Sequence, residues 1–130
     1  MSGTDRSKQS VPEPQPVFVL VEPQMGENIG AAARGMLNFG LTAMRLVAPR
    51  DGWPNEKAGA MAAGASAVLD SARVFDDLAA AVGDCSYVMA TTARPRDMRK
   101  PVFSPEDAAA RLAEKVESGV RCAVLFGCER

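Results

Sequence analysis

Histidine is absent from the 130 residues. That removes the commonest side-chain general base near neutral pH. Cysteine is scarce, with three at positions 85, 122 and 128, and no spacing among them suggests a zinc site or a disulfide framework. Cys85 and Cys122 fall in stretches expected to form buried strands, where a free thiol behaves as a small hydrophobe. An excess of one charge is missing too: 15 basic residues against 16 acidic ones leave a net charge of -1. This argues against nonspecific coating of nucleic acid and leaves local basic patches open. No apolar run approaches the roughly 18 residues of a membrane span. The first residues lack the charged head and apolar core of a secretory signal. A soluble protein in a reducing, cytoplasmic setting is the expectation.

What is present is the ordinary composition of a globular domain, 47% hydrophobic and 24% charged, with room for one core. Residues 1–16 are polar and proline-rich and read as a flexible tail, so the folded domain is expected over 17–130. Val17–Val21 is a continuous apolar run of the kind buried on both faces of a sheet. After a polar turn, Ile29, Ala32, Ala33, Met36 and Leu37 follow the spacing of one helical face, with Asn28 as N-cap and Gly40 as stop. Further strands are expected at 43–47, 67–69, 86–90 and 121–126. Helices are expected at 55–63, capped by Asn55 and ended by Gly64, at 75–82, and from Ser104-Pro105 to about Val116. Alternating strands and helices predict an α/β fold with a mainly parallel sheet and helices on both faces. Ligands gather at the carboxyl ends of such strands.

Three stretches fall at those ends. The first, Gly26-Glu27-Asn28-Ile29-Gly30-Ala31-Ala32-Ala33-Arg34, resembles a phosphate-binding turn but fits neither glycine fingerprint for dinucleotides or ATP. Arg34 sits off the apolar stripe, either as a solvated surface residue or as a functional one. Gly30 and Gly35 each cost a helix about 1 kcal/mol relative to alanine, so close approach of another backbone or a ligand is expected. The second, 91–100, sets Arg94, Arg96, Arg99 and Lys100 against one acid, Asp97; it is either a solvated loop or a surface for RNA phosphates. The third is Leu125-Phe126-Gly127-Cys128-Glu129-Arg130, a buried strand running into a glycine and a charged pair.

Taken together and in order, these stretches resemble the SPOUT superfamily of RNA methyltransferases, specifically its SpoU/TrmH and TrmJ-like tRNA ribose 2′-O-methyltransferases. The first motif is matched by Asn28-Ile29-Gly30 and Arg34, closing at Asn38-Phe39-Gly40-Leu41. The segments Gly64-Ala65-Ser66 and Thr91-Thr92-Ala93-Arg94 also look like TrmJ-type members. The second motif begins at Phe126-Gly127-Cys128-Glu129-Arg130, with Cys128 departing from the usual residue. The resemblance covers about residues 16–130. It implies a knotted α/β fold, and a chain stopping inside the second motif is expected to lack the segment that ties the knot.

The resemblance further implies transfer of a methyl group from S-adenosylmethionine to a ribose 2′-hydroxyl of tRNA, in the anticodon loop, by a homodimer without metal. Arg34 and Asn28 would be the catalytic pair, with Arg34 acting across the dimer interface. Thr91, Thr92, Gly127 and Glu129 would line the cofactor. A guanidinium gives up its proton too reluctantly to serve as a base, so stabilising the developing alkoxide and binding a phosphate suit Arg34 better. An alternative is a non-catalytic RNA-binding or dimerisation module. A generic nucleotide-binding domain is disfavoured by the glycine spacing.

Overall fold

The computed structural model describes residues 14–91 and 104–127. Five strands form one wholly parallel sheet: β1 (Val17–Val21), β2 (Met44–Val47), β3 (Arg73–Phe75), β4 (Tyr87–Thr91) and β5 (Cys122–Phe126), in the spatial order β3-β2-β1-β5-β4. The helices are α1 (Gly26–Asn38), α2 (Glu56–Ala62), α3 (Ser66–Asp70), α4 (Leu78–Ala81) and α5 (Pro105–Glu117). Parallel neighbours need crossovers, and right-handed ones dictate the layering. The connections β1 to β2, β2 to β3 and β4 to β5 advance in one direction across the sheet. They put α1, α2, α3 and α5 on one face. The reverse step from β3 to β4 puts α4 alone on the other.

Two cores follow from that division. On the crowded face, Ile29, Ala33 and Met36 of α1 pack with Met44 and Leu46 of β2, Ala58 and Ala62 of α2, and Val68 and Leu69 of α3. On the other, Val17, Val19, Val47 and Ala123 close over Ala81. One turn of helix is too short to cover five strands. Val88 of β4 is 42% exposed, and Ala90 is exposed as well.

Local chemistry accounts for most boundaries. Gly40, at φ 75°, ends α1: its N–H and that of Leu41 donate to the carbonyls of Leu37 and Met36, a glycine-closed C-terminus. Ser104 caps α5 by accepting from the Asp107 N–H at 3.1 Å. Asn55 caps α2 by accepting from the Lys57 N–H at 2.9 Å.

Several expectations need correction. α1 begins two residues before Asn28: Met25 holds the extended N-cap conformation, and Asn28 is an exposed residue of the first turn. α2 leaves its axis at Ala63, at φ 55°, rather than at Gly64. Residues 67–69 belong to helix α3. Three apolar residues carry no period that separates strand from helix, and Val68 and Leu69 are buried in the α1 core. The third strand is instead Arg73–Phe75, and the helix expected from Phe75 shrinks to α4, capped by the Asp77 carboxylate accepting from Ala80 N–H at 2.8 Å. Cys85 precedes β4 in a loop, half-buried, whereas Cys122 is buried in β5. Gln15, assigned to the polar tail, accepts from the N–H groups of Thr42 and Ala43 at 2.8 and 3.0 Å, tying that segment to the entry of β2.

Candidate active site

The carboxyl ends of β1 and β5 adjoin at the middle of the sheet, on the edge where parallel α/β folds gather their ligands. The loop after β1 is fixed by the end of β2 and the segment that follows it. The Glu22 N–H donates to the Val47 carbonyl at 2.8 Å, and the Arg50 N–H donates to the Pro23 carbonyl at 3.0 Å. Glu22 itself adopts φ 51°, a left-handed conformation that an L side chain rarely holds. The chain then enters α1, whose positive dipole end lies at this edge.

Beyond β1 on the same edge, β4 and β5 end in register, Thr91 opposite Phe126. The Thr91 hydroxyl donates to the Leu125 carbonyl at 3.0 Å, so its oxygen is left to accept. The Phe126 ring, 37% exposed, stacks on Phe18 at 5.6 Å between centroids. Gly127 is exposed, and a Cβ built there meets nothing within 4 Å. An open glycine, an acceptor hydroxyl and an exposed aromatic edge therefore adjoin at the ends of two neighbouring strands. Those features suit a small organic cofactor with an apolar ring and polar substituents.

The first-motif residues lie elsewhere. Asn28 is in the first turn of α1, near this edge. Arg34 is six residues further, about 9 Å along the axis and roughly 120° around it. It is exposed and has no hydrogen bond or ion pair among the described residues. α1 packs over β1 and β2, whereas Thr91 and Gly127 end β4 and β5. The fold thus brings Thr91 and Gly127 together at the ends of β4 and β5 and carries Arg34 on α1, over β1 and β2. Thr92, Arg94, Arg96, Arg99, Lys100 and Glu129 lie outside the described residues.

Gly30 shows why α1 sits where it does. A Cβ there would collide with the Ala58 carbonyl oxygen and approach the Met61 Cβ at 2.9 Å. The expected close approach is therefore helix α2. At Gly35 no other segment of this chain makes the approach, since a Cβ meets nothing within 4 Å.

One charged cluster escaped the sequence reading. Arg45, 7% exposed, points to the α4 face and binds Asp84 through two hydrogen bonds of 2.7 and 2.9 Å. It also donates to the Ala81 carbonyl at 2.8 Å. Arg45 lies at the amino half of β2, remote from the carboxyl edge, and its role is structural. A lone arginine inside the apolar run Met44-Arg45-Leu46-Val47 was the available signal, because a buried cation needs a partner. A cleft of about 490 Å3 at this amino end is lined by Gln15, Arg45, Ser71 and Arg121 among others. Its one buried cation is already paired with Asp84. Burial raises the Cys85 thiol pKa, the Asp84 carboxylate raises it further, and burial raises that of Cys122. Both shifts favour the protonated thiol over the nucleophilic thiolate. Among the described residues no cluster of His, Cys, Asp or Glu is arranged to hold a metal, and no helix is long and apolar enough to cross a membrane.

The SpoU rRNA methylase family matches residues 15–130. The chain belongs to that family. It is 56% identical to the crystal structure of TrmJ from Zymomonas mobilis, with a TM-score of 0.84, covering 89% of this chain and 50% of that one. It is 41% identical over 111 residues to the Pseudomonas aeruginosa tRNA (cytidine/uridine/adenosine-2′-O-)-methyltransferase TrmJ, covering 85% of this chain and 43% of the relative. A probable methylase family protein from Haemophilus influenzae is 38% identical, with a TM-score of 0.76, covering 87% of this chain and 45% of that one. The chain thus spans about half the length of these relatives. The membership identifies it as a SPOUT, TrmJ-like member, and the parallel α/β sheet agrees with the expected fold class.

Proposed function

We propose that this chain forms the N-terminal part of a tRNA ribose 2′-O-methyltransferase that uses S-adenosylmethionine and acts in the anticodon loop as a cytoplasmic homodimer. The observation that carries the proposal is the split site: Thr91 and Gly127 end adjacent strands, while Arg34 rides on a helix over different strands. A second copy reaching across would supply the missing arginine.

S-adenosylmethionine supplies an electrophilic methyl group on a sulfonium, so the protein has mainly to align a hydroxyl with it. Thr91, Thr92, Gly127 and Glu129 are the residues that would hold the cofactor. The open space at Gly127 and the acceptor oxygen of Thr91 fit that role. Asn28 shapes the α1 entrance and can hold the ribose. Arg34 binds the phosphate beside the ribose and stabilises negative charge growing on the 2′-oxygen. Contacts to phosphate and ribose carry no base identity. The relatives' names include cytidine, uridine and, in one, adenosine, which suits that kind of recognition. Arg94, Arg96, Arg99 and Lys100 would add phosphate contacts.

Calorimetric titration of S-adenosylmethionine tests this proposal. The chain alone would be compared with the chain continued by the second half of the Zymomonas relative. Binding by the continued chain, weakened when Gly127 is made Leu, is the expected result. Failure of both chains to bind would leave a non-catalytic RNA-binding or dimerisation module.

A further inference from the structure

Gly26 and Gly30 seat α1 against α2, and Arg34 follows them one turn further on. Gly26, Gly30 and Arg34 are spaced four apart and so lie along one side of α1. Gly30 is pressed against the Ala58 carbonyl and the Met61 Cβ. Gly26 meets a different neighbour. A Cβ there would lie 2.6 to 2.8 Å from the Oδ1, Cγ and Nδ2 atoms of Asn55. Asn55 cannot swing away freely, because its Oδ1 accepts from the Lys57 N–H at 2.9 Å and caps α2. α1 and α2 also form the most extensive helix contact of the fold.

We infer that Asn55 is a positioning residue: by filling the space beside Gly26 while pinned to α2, it fixes the axial position of α1 and hence where Arg34 projects. The contact at Gly30 blocks closer approach of the helices. The contact at Gly26 stops α1 from sliding toward the carboxyl edge of the sheet. A shift of one residue along the helix carries a side chain 1.5 Å axially and 100° around, so a small slip misdirects Arg34. The inference rests on the proposed function only for the use made of Arg34.

A size exchange tests it in the 130-residue chain. Gly26→Ala puts a methyl group into the Asn55 side chain. Asn55→Gly removes that side chain with little loss of capping, since glycine is an acceptable N-cap. Gly26→Ala is expected to weaken binding of unfractionated tRNA about tenfold, the size of one lost charged contact. The double variant is expected to return to within about twofold of the parent, and all differences are expected to vanish in an Arg34→Ala background. A purely structural role would leave the differences in that background. Tight binding by Gly26→Ala, or a loss that persists without Arg34, would overturn the inference. If the 130-residue parent does not bind tRNA, amide correlation spectra decide the seat independently of the functional proposal. Resonances from Asn28 to Arg34 are expected to move in Gly26→Ala and to return in the double variant. Shifts confined to the first turn would refute it.

Discussion

The guanidinium of Arg45 lies against the Asp84 carboxylate along two parallel hydrogen bonds of 2.7 and 2.9 Å, with Arg121 3.7 Å from the same carboxylate. Arg45 is buried and Asp84 is about half exposed. Replacing the acid by an amide therefore leaves a buried cation with no anionic partner beside it, only neutral acceptors such as the Ala81 carbonyl and the face of the Phe75 ring. Asp84→Asn is expected to cost about 1–3 kcal/mol, less than a fully buried pair because solvent reaches the carboxylate. Urea unfolding of the two chains measures it, and an unchanged midpoint would contradict it.

The same pair gives a pH dependence. The Arg45 hydrogen bonds hold the Asp84 carboxyl well below the usual carboxylate range. Its folded pKa is thus lower than its unfolded one, about 3.9. The stabilisation is present above the unfolded value and is lost as pH falls below about 4 toward the folded value. Melting temperatures from pH 7 to 2.5 are expected to converge for the parent and Asp84→Asn at the acid end. A gap that stays constant to pH 2.5 would contradict the linkage.

Two glycines of α1 are expected to respond oppositely to alanine. Gly30→Ala forces a methyl group onto the Ala58 carbonyl and is expected to destabilise by about 1–3 kcal/mol despite better helix propensity. Gly35→Ala meets open space and is expected to stabilise by about 0.5–1 kcal/mol. Thermal melts of the two variants decide the matter by sign alone.

A divided site predicts complementation. In the chain continued by the Zymomonas half, Arg34→Ala and Gly127→Leu are each expected to lose nearly all methyl transfer. Mixing and re-forming the dimers leaves one intact site in each mixed pair, about a quarter of all sites. Recovery of activity near that level is the expected outcome, and none would place Arg34 in the same protomer's site.

Much of the fold was legible because period and punctuation agreed. β1 spans the five residues expected, and Asn55, Ser104 and Gly40 act as predicted at their helix ends. Where the chain lacked such signals, reading failed. Residues 67–69 had three apolar side chains and no period, and their helix is stabilised by packing against α1. Asn28 has the right chemistry for a cap, yet α1 gains its first turn by sliding Gly26 against Asn55, a contact between segments nearly thirty residues apart. Motif order singled out Asn28, Arg34, Thr91 and Gly127, and the roles proposed for them rest on that resemblance. Their division between two parts of one sheet was not legible there, since it depends on β5 inserting between β1 and β4.

The most direct measurement is transfer of radiolabelled methyl from S-adenosylmethionine to tRNA by the chain continued with the second half of the Zymomonas relative. The label is expected on ribose, where it makes one phosphodiester resistant to alkali, and is expected to disappear with Arg34→Ala. Label on a base, or ribose label that survives Arg34→Ala, would contradict the assignment of Arg34 to 2′-oxygen chemistry.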